Sequence, residues 1–166
     1  MYRILEDFIT DWLQEDIFTE KIFLAVREGS QREKVHPNVR TLERLAWHIT
    51  QTITEMGEKA GLFEHDPLED RPAPATMKEI SETYLLNSKK LAELIREKWT
   101  DASLEEEVNM YGENWKKGKI LSVLVAHGAH HRSQMTVVMR LLGMAVPGIY
   151  GPSKEEWAAI GMPAME

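Results

Sequence analysis

The chain of 166 residues contains 27 acidic residues against 20 lysines and arginines, giving a net charge of −7, and 43% of its residues are hydrophobic. These values are typical of one globular domain spanning residues 1–166, and the acidic balance argues against general nucleic-acid binding, which requires a dense cationic surface. The sequence contains no cysteine, so disulfides, thiolate ligands and a cysteine nucleophile are excluded, and any metal site must use nitrogen and oxygen ligands.

Neither a membrane span nor a secretory signal is evident in the sequence. No segment approaches the roughly 20 continuous apolar residues that a spanning helix needs. Acidic residues follow the N-terminal methionine too closely for a signal peptide, at Glu6 and Asp7. We therefore expect a cytoplasmic protein with no membrane partner.

Apolar residues recur every three or four positions from residue 2 to about residue 28, which predicts one long amphipathic helix. Gly29 suits a left-handed C-terminal cap for this helix. Residues 30–40 are polar and contain Pro37, so they are predicted to form a loop.

A second helix is predicted from Thr41 to about Leu62. His48 and Thr52 are polar residues on its inward apolar stripe, and buried polar groups need partners. Glu55 lies on the same side and could be the partner of His48. The proline-rich residues 63–75 are predicted to form a loop long enough to connect to a third helix in either direction.

The third helix is predicted to begin at Thr76, because Thr76 and Glu79 have the spacing of a capping box, and to end at about Thr100. Residues 101–117 are predicted to be irregular or briefly extended. Their acidic run, Glu105–Glu107, is interpreted as a solvated surface.

The fourth helix is predicted from Lys119 to Leu142. Lys116, Lys117 and Lys119 lie at its start, where the helix dipole favours anions. These lysines either offset the nearby glutamates or favour an anionic ligand at the helix end.

The C-terminal part is predicted to contain a tight turn at residues 147–152 and a short terminal helix. Ser153 and Glu156 have capping-box spacing, and Trp157 is expected to pack the terminal helix against the rest of the protein. Four long amphipathic helices without a convincing strand pattern predict an all-α fold, a four-helix bundle with a short C-terminal helix.

Three histidines of the predicted bundle form a candidate metal site. His127 and His131 are one turn apart on one face of the fourth helix. His48 lies about 10 Å into the second helix, which is level with His127 if the two helices are parallel and with His131 if they are antiparallel. Both directions therefore permit a triad. The competing interpretation is that these histidines only satisfy hydrogen bonds in the core.

Three neutral imidazoles with one open coordination position are typical of catalytic zinc sites. Imidazole also suits nickel, iron, cobalt and copper, so the divalent metal stays open. Gln134 and Glu55 lie on the inward stripes and are candidates to orient the rings through hydrogen bonds.

The other histidines and Arg132 are not assigned to the site. His130 is expected to pack or to form a hydrogen bond between helices, whereas His36 and His65 lie in predicted loops and should be exposed. Arg132 points away from the histidine stripe and is interpreted as a surface or interface residue.

The sequence resembles the DinB-like family, also called the DinB/YfiT-like metalloenzymes. The resemblance is carried by residues 45–49 (Leu-Ala-Trp-His-Ile) and residues 127–134 (His-Gly-Ala-His-His-Arg-Ser-Gln), and it extends through Leu142-Gly143 to residues 147–150. Ser133 replaces a glycine that is common in the family. This difference leaves the candidate ligands intact.

The resemblance implies a bundle in up-down-down-up order, a divalent metal held by His48, His127 and His131, and a homodimer. Relatives include bacillithiol-dependent S-transferases and mycothiol-dependent isomerases. The leading hypothesis is a metal-dependent transferase or hydrolase that activates a low-molecular-weight thiol or water for attack on a small electrophile. The alternative is a non-catalytic bundle or dimer that metal stabilises, or one whose metal site is vestigial.

Overall fold

The computed structural model describes residues 1–163 and confirms the all-α prediction. It contains four long α-helices, a two-stranded hairpin and two single turns of 3₁₀ helix. The bounds of the α-helices are α1, Leu5–Ala25; α2, Leu42–Lys59; α3, Met77–Lys98; and α4, Lys117–Leu141. The antiparallel strands are β1, Glu107–Met110, and β2, Glu113–Lys116, and the 3₁₀ turns are Ala102–Glu105 and Trp157–Ile160. No helix within residues 1–163 combines the length and apolarity that crossing a membrane requires.

Each long helix packs against two others, so that α1 and α2 each contact both α3 and α4. The start of α1 meets the start of α4, where the Tyr2 backbone N–H donates to the Gly118 carbonyl over 3.1 Å. The start of α1 also meets the end of α3, where Arg96 donates to the Glu6 carboxylate over 2.9 Å. Therefore α1 is parallel to α4 and antiparallel to α3.

The second helix runs in the direction of α3. Lys98, at the end of α3, donates from Nζ to the Leu62 carbonyl just beyond the end of α2, over 2.7 Å. Tyr111, in the hairpin that leads into α4, donates to Glu55 in the later part of α2 over 3.1 Å. Therefore α2 is antiparallel to α4, and the helix directions follow the up-down-down-up order that the resemblance implies.

The predicted N-termini of α2 and α3 are confirmed by their caps. The Thr41 side chain accepts a hydrogen bond from the Arg44 backbone N–H at the start of α2. Thr76 and Glu79 form a complete capping box at the start of α3, each side chain accepting from the other residue's backbone N–H. These local interactions were readable in the sequence because all the groups lie within four residues.

The first helix is shorter than predicted at both ends, beginning at Leu5 and ending at Ala25. At its start the Leu5 backbone N–H donates to the Asp101 carboxylate over 2.8 Å. After Ala25 the chain becomes extended, and the Glu28 carboxylate accepts from the Met77 backbone N–H at the start of α3 over 3.0 Å. Contacts with a distant segment thus shape both ends. Gly29 does have positive φ, 89°, but in the turn that follows the helix.

Residues 107–116 form a tight hairpin. The prediction for this segment was either irregular or briefly extended structure, and the second of these is observed. Met110 pairs with Glu113 across a two-residue turn in which Tyr111 and Gly112 have φ values of 56° and 87°. Two consecutive positive φ values are the requirement of a type I′ turn, whose twist matches that of paired strands.

Two of the three lysines at the start of α4 offset the nearby glutamates, as one of the two alternatives predicted. Lys116 lies 2.5 Å from the Glu105 carboxylate and Lys117 lies 2.7 Å from that of Glu106. The Lys119 ammonium lies over the Trp115 ring, 4.2 Å from its centroid. The glutamates are exposed, in agreement with their interpretation as a solvated surface.

The predicted C-terminal helix is present only as the 3₁₀ turn Trp157–Ile160. One half of the capping box forms, because the Ser153 backbone N–H donates to the Glu156 carboxylate over 3.1 Å. The other half does not, since Ser153 Oγ has no hydrogen-bond partner among residues 1–163. Glu156 also accepts from the Gly148 backbone N–H over 2.9 Å, so its carboxylate closes the preceding loop. Trp157 is half-buried.

Candidate metal centre

The structure brings together the three histidines selected from the sequence. His127 and His131 lie one turn apart on α4, with ring centroids separated by 4.4 Å, and His48 reaches them from α2. The His48 ring lies 4.6 Å from that of His131 and 5.0 Å from that of His127. One ring nitrogen of each histidine lies within 4.8 Å of the others. Within residues 1–163 this is the only group of three or more His, Asp or Glu side chains close enough to share an ion.

Gln134 orients the His131 ring. Its Oε1 lies 2.7 Å from His131 Nδ1, and its amide nitrogen lies 3.2 Å from His130 Nε2. Because an amide oxygen only accepts hydrogen bonds, this assignment of the amide places a proton on His131 Nδ1 and a lone pair on its Nε2. Gln134 therefore turns the acceptor nitrogen of His131 toward the other two rings.

The spacing of the ring nitrogens is compatible with a shared ion. His131 Nε2 and His127 Nε2 are 3.1 Å apart. Two imidazole nitrogens that are each about 2.0–2.1 Å from a tetrahedral ion would be separated by about 3.4 Å. The pair is thus close to ligand geometry, and His48 supplies the third nitrogen from the facing helix.

The electrostatic environment keeps the triad neutral at pH 7. Burial, together with the neighbouring histidines, lowers the pKa of His48 and that of His127 to about 4. Burial also lowers the pKa of His131, against an opposing effect of the hydrogen bond with Gln134. Neutral imidazoles expose the lone pairs that a cation needs, so no proton has to leave before metal binds.

The group of three could hold a divalent metal ion. Three neutral nitrogen donors suit zinc, nickel, iron, cobalt and copper better than the hard cations Mg²⁺ and Ca²⁺, which prefer oxygen. A cation with only three protein ligands keeps at least one further coordination position.

The two residues predicted to orient the rings lie in different places. Gln134 contacts His131 directly, as described above. Glu55 instead accepts a hydrogen bond from the Tyr111 hydroxyl and faces the hairpin. Thr52, the other polar residue of the α2 stripe, donates to the backbone carbonyl of His48 over 2.8 Å.

The remaining histidines are exposed, and only one of them approaches the triad. The His130 ring lies 4.8 Å from that of His131 and lines a cavity of about 720 Å³ beside it. His36 accepts at Nδ1 from the Asn38 backbone N–H over 3.1 Å, within a loop turn. His65 lies in the loop between α2 and α3.

The interpretation of Arg132 as a surface or interface residue is wrong. Its side chain is only 1% exposed and forms an ion pair with Glu15, which is also buried. It donates to Thr19 Oγ1 over 2.9 Å and to the Tyr150 hydroxyl over 2.6 Å, and that hydroxyl in turn contacts the Glu15 carboxylate. We call these four residues the arginine network.

A signal for the arginine network was present in α1. Glu15 lies on the same inward stripe as Phe8, Trp12 and Ile22, all of which are buried. A carboxylate on a core-facing stripe needs a cationic partner, because an unpaired buried charge is very costly. That requirement predicts a buried Lys or Arg, although it does not identify Arg132.

Comparisons with known proteins agree in placing the whole chain with one group. The sequence profile of the DinB family matches residues 1–165. The uncharacterized protein YrdA of Bacillus subtilis (strain 168) is 36% identical over 164 residues, covering 99% of this chain and 98% of YrdA.

Two crystal structures are similar to this fold. A DinB-like protein from Bacillus cereus ATCC 10987 matches with a TM-score of 0.83 and 33% identity, over 90% of this chain and all of that protein (100%). The DinB-like protein YjoA from Bacillus subtilis matches with a TM-score of 0.68 over 88% of this chain and 98% of YjoA. At 16% identity, the second comparison supports the fold alone.

Proposed function

The chain belongs to the DinB family, and we propose that it is a metal-dependent enzyme in which His48, His127 and His131 hold a divalent cation. The observation that carries this proposal is the convergence of three ring nitrogens, from two helices, within 4.8 Å of one another. The low pKa values of His48 and His127, about 4, support it because both rings are neutral at pH 7.

The proposed reaction is the attack of a thiol or water on a small electrophile. A divalent cation held by the three imidazoles would lower the pKa of a water in its remaining position toward neutrality, and it would deprotonate a thiol bound there. A thiol transferase would require a low-molecular-weight thiol as cosubstrate, whereas a hydrolase would require only water.

The residues around the triad support an accessible site. Gln134 holds the His131 ring in the tautomer that a cation requires. The 720 Å³ cavity beside His131 is within the size range of small-molecule sites, about 300–1,000 Å³. A metal that only stabilised the fold would be expected in a closed coordination shell, so the cavity favours the enzyme over the non-catalytic alternative.

The test begins with metal content. Purified protein should contain about one divalent cation per chain, and His127→Ala should lose it, because two imidazoles bind much more weakly than three. His65→Ala is the matched control, since it removes an exposed histidine outside the triad. Equal metal content in the unaltered protein and His127→Ala, measured by elemental analysis, would contradict the assignment of His127 as a ligand.

Activity is then measured with the metal-loaded protein and 1-chloro-2,4-dinitrobenzene, with and without a thiol. Turnover that requires thiol supports the transferase, and turnover without thiol supports the hydrolase. In either case, His127→Ala should lose most of the turnover rate, and His65→Ala should retain it. Absence of turnover, together with a large fall in Tm on chelation, would favour the metal-stabilised bundle.

A further inference from the structure

The cavity beside His131 has an apolar wall. Val39, from the loop before α2, and Leu45, on α2, face three residues of α4: Val137, Val138 and Leu141. Val137 and Leu141 lie one turn apart and remain 57% and 65% exposed, although both are large aliphatic side chains. Their position beside the histidine triad offers apolar surface to a molecule that reaches the metal site.

Among residues 1–163, Arg40 is the only permanently charged residue that lines the cavity, and none of their carboxylates lines it. The positive charge of this cavity lining contrasts with the net charge of −7 for the whole chain. Its position is set by the backbone, because Arg40 directly precedes the Thr41 cap of α2. It also follows a turn closed by a 3.1 Å hydrogen bond between the Val39 N–H and the His36 carbonyl.

The Arg40 guanidinium is available for a ligand. Within residues 1–163 it has no ion pair or side-chain hydrogen bond, whereas Arg32, Arg96 and Arg140 each pair with a glutamate. Arg40 and His131 line the same cavity, so a ligand in the cavity contacts both the guanidinium and a ring of the triad.

We infer that this cavity binds the reactant of the proposed enzyme, and that the reactant is a carboxylate with an apolar body. The carboxylate pairs with Arg40, the apolar body contacts Val137 and Leu141, and the reactive end lies at the triad. One unpaired guanidinium matches a single negative charge and accepts two carboxylate oxygens side by side, whereas a phosphate carries up to about two charges at pH 7. This inference rests on the proposed function.

The test compares two thiols of equal length, 6-mercaptohexanoate and 6-mercapto-1-hexanol, on the cobalt-loaded protein. Thiolate coordination gives a charge-transfer absorption band, from which the Kd of each thiol is obtained without turnover. The acid should bind about tenfold more tightly than the alcohol, and Arg40→Gln should reduce this ratio to about one. Arg40→Lys should retain part of it, because the charge remains but the planar fork is lost.

Two variants control for general effects. Arg44→Gln removes an exposed arginine one turn along α2 that does not line the cavity, so the ratio should stay near ten. Val137→Ser combined with Leu141→Ser should weaken the acid and the alcohol by similar factors, because both thiols share the apolar chain. If this double variant instead turns a dimer into a monomer and leaves both Kd values unchanged, the wall is a protein interface and the inference is wrong.

The outcomes separate this inference from the proposed function. Equal binding of both thiols, with no effect of Arg40→Gln, would overturn the carboxylate site and leave the metal-dependent enzyme intact. If neither thiol produces the band, the thiol-transfer reaction is wrong. Calorimetric titration then gives the Kd values of hexanoate and 1-hexanol. The carboxylate site is supported if the acid binds about tenfold more tightly and Arg40→Gln abolishes the difference, and it is overturned if the two bind equally.

Discussion

Two polar clusters lie on different faces of α4, and adjacent residues of that helix, His131 and Arg132, belong to one cluster each. His131 faces α2 and joins the histidine triad, whereas Arg132 faces α1 and joins the arginine network. In the arginine network the cationic nitrogens meet a carboxylate and two hydroxyls, and only Arg132 Nε lacks an acceptor among residues 1–163. In the triad three neutral rings converge, and His127 Nε2 and His131 Nε2 lie within hydrogen-bond distance, 3.1 Å apart.

The difference shows how a bundle separates stability from ligand binding. Oppositely charged and hydrogen-bonding groups in the arginine network satisfy one another apart from Arg132 Nε, so the buried charges are paired within the protein. Each neutral imidazole of the triad has one donor and one acceptor nitrogen, so the three rings carry no charge to pair, and a cation would take a lone pair from each. We therefore expect substitutions in the arginine network to change stability and substitutions around the triad to change metal affinity.

The largest effect should come from breaking the arginine network. Glu15→Ala leaves the Arg132 charge buried without its partner, which should reduce the free energy of unfolding by about 3–5 kcal/mol. Urea unfolding of the metal-free protein measures this loss. Arg140→Ala is the control, since it breaks the exposed pair with Glu155 and should unfold almost as the unaltered protein does. Equal losses in the two variants would contradict the distinction.

A second effect concerns Asp16, which adjoins the arginine network and accepts hydrogen bonds from Tyr84 over 2.8 Å and Ser88 over 2.6 Å. Burial raises its pKa to about 6, although both hydrogen bonds and Arg132 oppose the shift. The folded state therefore holds a proton that the unfolded state has lost between about pH 4 and pH 6. Stability contributed by this proton is complete below pH 4 and is lost as the pH rises through 6.

At ~1.4 kcal/mol per pKa unit, this contribution of Asp16 reaches about 3 kcal/mol. Asp16→Asn remains neutral at every pH, so its stability should lack that decline. Urea unfolding of both proteins from pH 4 to pH 8 isolates the contribution as a difference, because other groups titrate alike in the two. Parallel stability profiles would show that Asp16 is not responsible.

The smallest effect should be seen at Gln134 and should concern metal affinity. Gln134→Ala removes the acceptor that orients His131, which should weaken zinc binding about 10- to 100-fold while stability stays nearly constant. Competition with a chromogenic chelator measures the affinity. Gln134→Glu keeps the acceptor oxygen and should restore most of the affinity. If Gln134→Ala binds zinc as tightly as the unaltered protein, or if Gln134→Glu is equally weak, the orienting role is wrong.

The fold was largely predictable because its signals are local. The apolar recurrence of each helix and the caps at Thr41 and Thr76 involve residues within a few positions of one another. Predictions failed where a distant contact competes with local preference, as at both ends of α1. The hairpin at residues 107–116 was only partly anticipated, because four-residue strands are too short to display a clear alternating pattern.

For the site, sequence spacing was sufficient to select His48, His127 and His131, because a turn of helix sets which side chains share a face. Helix direction was not available from spacing, and neither was the partner of a buried charge. Tertiary packing decided that Glu15 meets Arg132, that Glu55 faces the hairpin and not the triad, and that Arg40 lies over a cavity. Periodicity depends on neighbours along the helix, whereas charge pairing and cavity shape depend on elements that approach one another only after the chain has folded.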